Sequence, residues 1–135
     1  MFNYVPRLKN LSKKYHKKII ITEFGTCCYK FASFLGGAAY YPIQELKLHE
    51  KTFFKWLITR DEKEQITYLK RCFKKFEKSD VEGAFIFDFN EKWKTFIPNK
   101  KCIDLASFGI MRRYPNGKIE PKLAFNFIAD YYEKR

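Results

Sequence analysis

The chain is short of acid. Its 135 residues carry 15 Asp and Glu against 27 Lys and Arg, for a net charge of +12. It also lacks cysteines at ligand spacing. Cys27, Cys28, Cys72 and Cys102 form no C-x-x-C pair, which argues against a structural zinc site. They are too sparse for a disulfide framework. His16 and His49 stand far apart with no ligand-like spacing, so a metal site and a cofactor are not expected. The opening "MFNYVPRLKNLSKKYHKK" has no apolar stretch of secretory-signal type. No apolar run approaches the length of a membrane span, and there is no low-complexity linker. These absences predict a reduced, cytoplasmic chain without a membrane partner, organised as one domain over residues 1–135.

What is present is aromatic and apolar. The chain is 46% hydrophobic and 19% aromatic, which excludes a disordered polymer and implies large buried surfaces. The basic excess raises nucleic acid as a partner. The lysines, however, interleave with apolar residues, as in "LKRCFKKFEKSD" (69–80), and do not form one block. That pattern favours a solvated, lysine-rich surface over a nucleic-acid site.

Periodicity predicts the elements. Leu8, Leu11 and Tyr15 mark a short helix over about Pro6–His16. A run of β-branched residues then predicts a strand over Lys17–Phe24, without alternation, as in a parallel strand covered on both faces. Gly25–Leu48 reads as a long irregular segment broken by Gly36, Gly37 and Pro42. Asp61 as N-cap, with Glu64 in capping-box position, opens a helix to about Lys78 striped by Ile66, Leu69, Phe73 and Phe76. "GAFIFDFN" (83–90) predicts a second buried strand. Asn116-Gly117 predicts a hairpin turn, and Pro121 opens a last helix.

Helix–strand–helix–strand–helix is the order of βα units on a parallel sheet. Two parallel strands alone are marginal in water. Both connections at the strands' C-terminal ends are long, as in a (β/α)8 barrel, whose active site lies on that side. The chain has about half of the roughly 250 residues a barrel takes. The expected fold class is therefore α/β, the C-terminal portion of a (β/α)8 TIM barrel, comprising about the last two βα units.

"IIITEFGTCCY", "RDEKEQITYLKRCFKKF", "VEGAFIFDF" and "DLASFGIMRRYPNGKIEPKLAFNFIADYY" occur in an order and spacing that resemble the C-terminal part of glycosidase-like (β/α)8 proteins. These are often labelled abortive infection (phage-resistance) proteins and are related to retaining glycoside hydrolases. The resemblance covers about Lys17–Tyr132. It implies that Glu23 in "ITEFG" matches the nucleophile at the end of the seventh strand, and that "GAFIFDF" matches the eighth strand. It also implies that strands one to six are missing, and with them the acid/base Glu that follows the fourth strand. Asn90-Glu91 is an Asn-Glu pair in the wrong place to replace it.

On residue chemistry alone, Glu23 is a nucleophile or a cap for loop amides. Asp88 either faces the barrel mouth and binds sugar hydroxyls or pairs with a cation. Asn90 and Trp93 follow the eighth-strand match. Trp93 is either a sugar platform or a packing residue. Cys27 has no basic neighbour visible in the sequence that would activate it and reads as packing. The expected function is a glycoside hydrolase-like chain, inactive by itself or part of a composite barrel, with carbohydrate as ligand. The alternatives are an assembly module that pairs with itself or with an N-terminal barrel half, and, with less support, a nucleic-acid binder.

Overall fold

A computed structural model describes residues 4–45, 58–100 and 102–134. The expectation for His49 lies outside the described residues. Among the described residues, five α-helices and four strands follow one another. Helix α1 spans Val5–Tyr15, strand β1 Ile19–Phe24, and the short helices α2 and α3 Ala32–Leu35 and Tyr40–Glu45. Helix α4 spans Lys63–Phe76 and strand β2 Val81–Ile86. Strands β3 and β4, Met111–Arg113 and Ile119–Pro121, precede helix α5, Leu123–Glu133.

Strands β1 and β2 are parallel neighbours, with Ile19 opposite Val81, Ile21 opposite Ala84 and Phe24 opposite Ile86. A parallel pair requires a crossover, and α4 lies in it. Strands β3 and β4 form a separate antiparallel pair. Mixed helix and small open sheets make the chain α/β, and neither sheet closes.

Helix α4 forms because Leu69, Cys72, Phe73 and Phe76 fall at three- and four-residue spacing and are all buried. Its last turn carries Lys74 and Lys75, which the negative end of the helix dipole favours. The start differs from the expected capping box. The Asp61 carboxylate accepts the Lys63 N–H at 3.0 Å, but Glu64 does not reciprocate. Its Oε2 accepts the Ser33 N–H, also at 3.0 Å, and so ties α2 to α4. The last helix also starts later than expected. Pro121 ends β4, Lys122 is the N-cap, and the Leu123 N–H is taken by Glu62 at 3.1 Å.

One core lies between this sheet and helices α4 and α5. Phe24, Leu69, Cys72, Phe73, Phe76, Ile110 and Ala124 form it. Phe24 meets Phe73 and Phe76 edge-on at 5.7 and 5.1 Å, and Phe73 stacks on Tyr131 at 4.4 Å. Each buried aromatic of this kind contributes about 1.5–3 kcal/mol. A second core gathers Cys27, Tyr29, Ala32, Ala39, Ile43, Ile58, Leu105 and Ala106. It is built almost wholly from irregular segments and short helices.

Two expectations about the sheet are corrected. The strands are not covered on both faces: Ile20 is 55% and Phe85 63% exposed. Helices α4 and α5 cover one side, and no described segment covers the other. The second strand is also displaced, running over Val81–Ile86 and not Gly83–Asn90. Beyond Phe87 the chain leaves β1 and bonds elsewhere: the Asp88 and Phe89 carbonyls accept the Ile110 and Met111 N–H groups, both at 3.0 Å. Asp88 thus stands past the strand end. The segment from Gly25 is likewise more ordered than expected, since it contains α2, a 3-10 turn over Gly36–Ala39, and α3. The Asn116-Gly117 turn is as expected. Gly117 has φ +84°, a conformation that favours glycine, and its N–H bonds the Tyr114 carbonyl at 2.9 Å.

Candidate functional site at the strand ends

Because β1 and β2 are parallel, their carboxyl ends lie at one edge of the sheet. Glu23 is the penultimate residue of β1 and is exposed. Gly25 follows it. A Cβ there would overlap the Phe87 carbonyl oxygen, so only glycine lets the two chains leave the sheet this close together. The Phe87 N–H donates to the Phe24 carbonyl at 2.9 Å and holds the exit shut. Asp88 comes next on the β2 side, and its own carboxylate accepts the Phe89 N–H. Glu23 and Asp88 therefore occupy neighbouring strand exits. Glu23 makes no ion pair or side-chain hydrogen bond among the described residues, so the cap reading finds no bonded amide there.

Asn90 is half-buried, and its Oδ1 has no hydrogen-bond partner among the described residues. Trp93 is 84% exposed, which removes the packing alternative for it. Between them, Glu91 takes the Phe108 N–H on Oε2 and pairs with Lys94 through Oε1, both at 2.6 Å. Lys94 also donates to the Ala106 carbonyl at 2.8 Å and lies 4.3 Å over the Tyr40 ring. Glu91 is thus bound into the loop walls. Below the exit, Gln65 Nε2 donates to the Thr26 and Phe108 carbonyls at 3.1 and 3.2 Å. That amide joins the segment after β1 to the segment before β3.

The loop core beneath contains charges that sequence reasoning missed. Lys122 is fully buried and Asp104 is 1% exposed. Asp104 forms ion pairs with Arg60 through Oδ2 at 2.7 Å and with Lys122 through Oδ1 at 3.2 Å. Glu62 lies 3.6 Å from Arg60 and pairs with Arg112 at 2.6 Å. Both guanidinium groups lie over Phe96, at 4.6 and 4.9 Å. Cys28 packs among them, accepting from Arg60 at 3.4 Å and donating to the Asp104 carbonyl at 3.2 Å. Most of these partners lie far apart in the chain, as Arg60 and Asp104, Glu62 and Arg112, and Cys28 and Asp104 do, and no local pattern signals them.

The thiols here are not activated. Burial pushes the Cys28 thiol up, and nearby Lys122 and Arg60 only partly offset it. Burial also pushes Cys27 up, and the neighbouring Cys28 adds to the effect, in keeping with a packing residue. Among the described residues no group of three His, Cys, Asp or Glu side chains could hold a metal ion, and no helix is long and apolar enough to cross a membrane. Chemically, the strand-end edge offers a solvated carboxylate, a second one at the neighbouring exit, and an exposed indole. No protein-family model and no curated protein matches the chain.

Proposed function

We propose that the chain is a glycoside hydrolase-like unit, the last two βα units of a (β/α)8 barrel, in which Glu23 keeps the nucleophile position. The observation that carries this reading is the exposed Glu23 carboxylate at the carboxyl end of a parallel strand, beside the exit that bears Asp88. Trp93 supports it as a solvent-facing ring that a sugar could stack on, and Asn90 and Asp88 as groups for its hydroxyls. The open sheet face supports a barrel that this chain only partly supplies.

Retaining hydrolysis needs two carboxyl groups about 5 Å apart, a nucleophile and an acid/base. The resemblance assigns only the first to this chain. Glu23 would attack the anomeric carbon and form a glycosyl ester, while the leaving group departs with the bond's electron pair. Without an acid to protonate it, only a leaving group stable as an anion departs. The chain alone is then inactive toward ordinary glycosides, and full turnover belongs to a composite barrel.

Activated 2-deoxy-2-fluoro dinitrophenyl glycosides of the common hexoses test this directly. Intact mass spectrometry should show one glycosyl adduct, mapped to Glu23 and absent in Glu23→Gln, with no turnover of alkyl glycosides. Absence of a Glu23 adduct across the panel overturns the nucleophile assignment. Alkyl glycoside turnover by the chain alone, lost in Glu23→Gln, overturns its inactivity.

A further inference from the structure

The lysines that interleave with apolar residues in the sequence become one face on the helix. At about 100° per residue, Leu69, Cys72, Phe73 and Phe76 of α4 share the buried side. Lys70, Arg71, Lys74 and Lys75 fall on the remaining arc; Glu77 and Lys78 follow just past the helix end at Phe76, and continued winding puts Glu77 at the edge of that arc, beside Lys70. Arg71, Lys74 and Lys78 form no ion pair among the described residues. Two adjoining clefts run along this face. One, of about 310 Å³, is lined by Val5, Arg71, Lys74, Lys75 and Lys78. The other, of about 320 Å³, shares Arg71 and Lys75 and adds Tyr4, Phe34 and Tyr68.

Two of these cations lie against aromatic rings. Arg71 lies 5.6 Å over Phe34, and Lys75 lies 4.4 Å over Tyr4. Phe34 is nevertheless 73% exposed, a large apolar ring held at the surface beside cations. Its support is fixed: Arg71 Nη2 donates to the Ser33 carbonyl at 2.5 Å, next to Phe34 in α2. The groove belongs to the α1, α2 and α4 surface and shares no residue with the Glu23 edge.

We infer that this groove binds single-stranded nucleic acid, with phosphates on Arg71, Lys74, Lys75 and Lys78 and a base stacked on Phe34. Cations alone would suit any polyanion. A row of cations beside an exposed ring suits a strand whose bases are unpaired, because stacking needs a free base face. The net charge of +12 adds attraction at long range.

Fluorescence anisotropy with a labelled oligothymidylate of about twelve nucleotides tests the inference on the whole chain, at several salt concentrations. Each phosphate neutralised on a single strand contributes about −0.7 to the slope of log affinity against log salt. The exposed Lys74→Gln/Lys78→Gln pair should therefore make the slope shallower by about 1.4. Phe34→Ala should leave the slope unchanged and weaken binding roughly fivefold or more, and Phe34→Trp should restore it. Matched circular-dichroism melts confirm that the variants are folded. Absence of binding at low salt overturns the inference. So does equal affinity for duplex DNA and heparin with Phe34→Ala unchanged, which would mark a general polyanion surface. An unchanged slope in the lysine pair overturns the assignment of this face.

Discussion

The two cores of this protein are held by different physics. Between the β1–β2 sheet and helices α4 and α5 the contacts are aromatic and aliphatic, with Phe24, Phe73 and Phe76 meeting edge-on. Beyond the strand ends an apolar cluster that includes Tyr29, Ile43 and Leu105 packs beside buried charges, with Asp104 between Arg60 and Lys122. The first gains from apolar area and tolerates changes of shape. The second depends on specific partners, because an ion left alone in the interior loses both water and counter-charge. The difference fits their positions. The apolar core anchors regular elements, whereas the ionic one must hold irregular segments, whose backbone groups lack a ladder, against the sheet edge where Glu23 emerges.

The comparison is broken most severely at Asp104. Asp104→Ala leaves Lys122 buried against no carboxylate and Arg60 with only Glu62 at 3.6 Å, and should cost about 3–5 kcal/mol in denaturant unfolding. Adding Lys122→Met should recover part of that loss, since it removes one stranded cation. A smaller effect comes from alkali. Cys27, Cys28 and Cys72 are all pushed up by burial from an ordinary value of 9.0. The folded chain then holds these protons after the unfolded chain has lost them. Stability is full below that value and falls as pH rises past it. Thermal melts should show the midpoint declining above about pH 9, and Cys27→Ala should lessen the decline. The smallest effect is expected in the apolar core. Leu69→Met keeps volume and hydrophobicity and should cost less than about 1.5 kcal/mol. A loss as large as that of Asp104→Ala would erase the distinction between the two cores.

The same division decides what could be read from residues alone. The stripe Leu69–Phe73–Phe76 exposed α4 to inspection, and Asn116-Gly117 exposed the hairpin, because both signals are local. Glu23 was legible as the carboxylate that ends a β-branched run. Asp88 was misplaced into a strand, since "GAFIFDFN" reads as continuous apolar sequence. Its carbonyl instead meets the Ile110 N–H, a partner no pattern within 83–90 announces. Lys122 and Asp104 were invisible for a related reason. A lysine after a proline reads as a solvated helix start, and only a distant carboxylate makes its burial tolerable. The two-sided burial expected for β1 failed because covering a sheet depends on segments elsewhere in the fold.

The sequence by itself determined helices α1, α4 and α5, the parallel strands and the carboxylate at the first strand's end, because spacing at two or at three to four residues acts over a few positions. Tertiary structure alone decided which sheet face stays open, which ions are buried together, and that Phe34 stands beside the basic side of α4. Those outcomes depend on contacts between residues well separated in the chain, and chain reversal brings such residues together without leaving a mark on either neighbourhood.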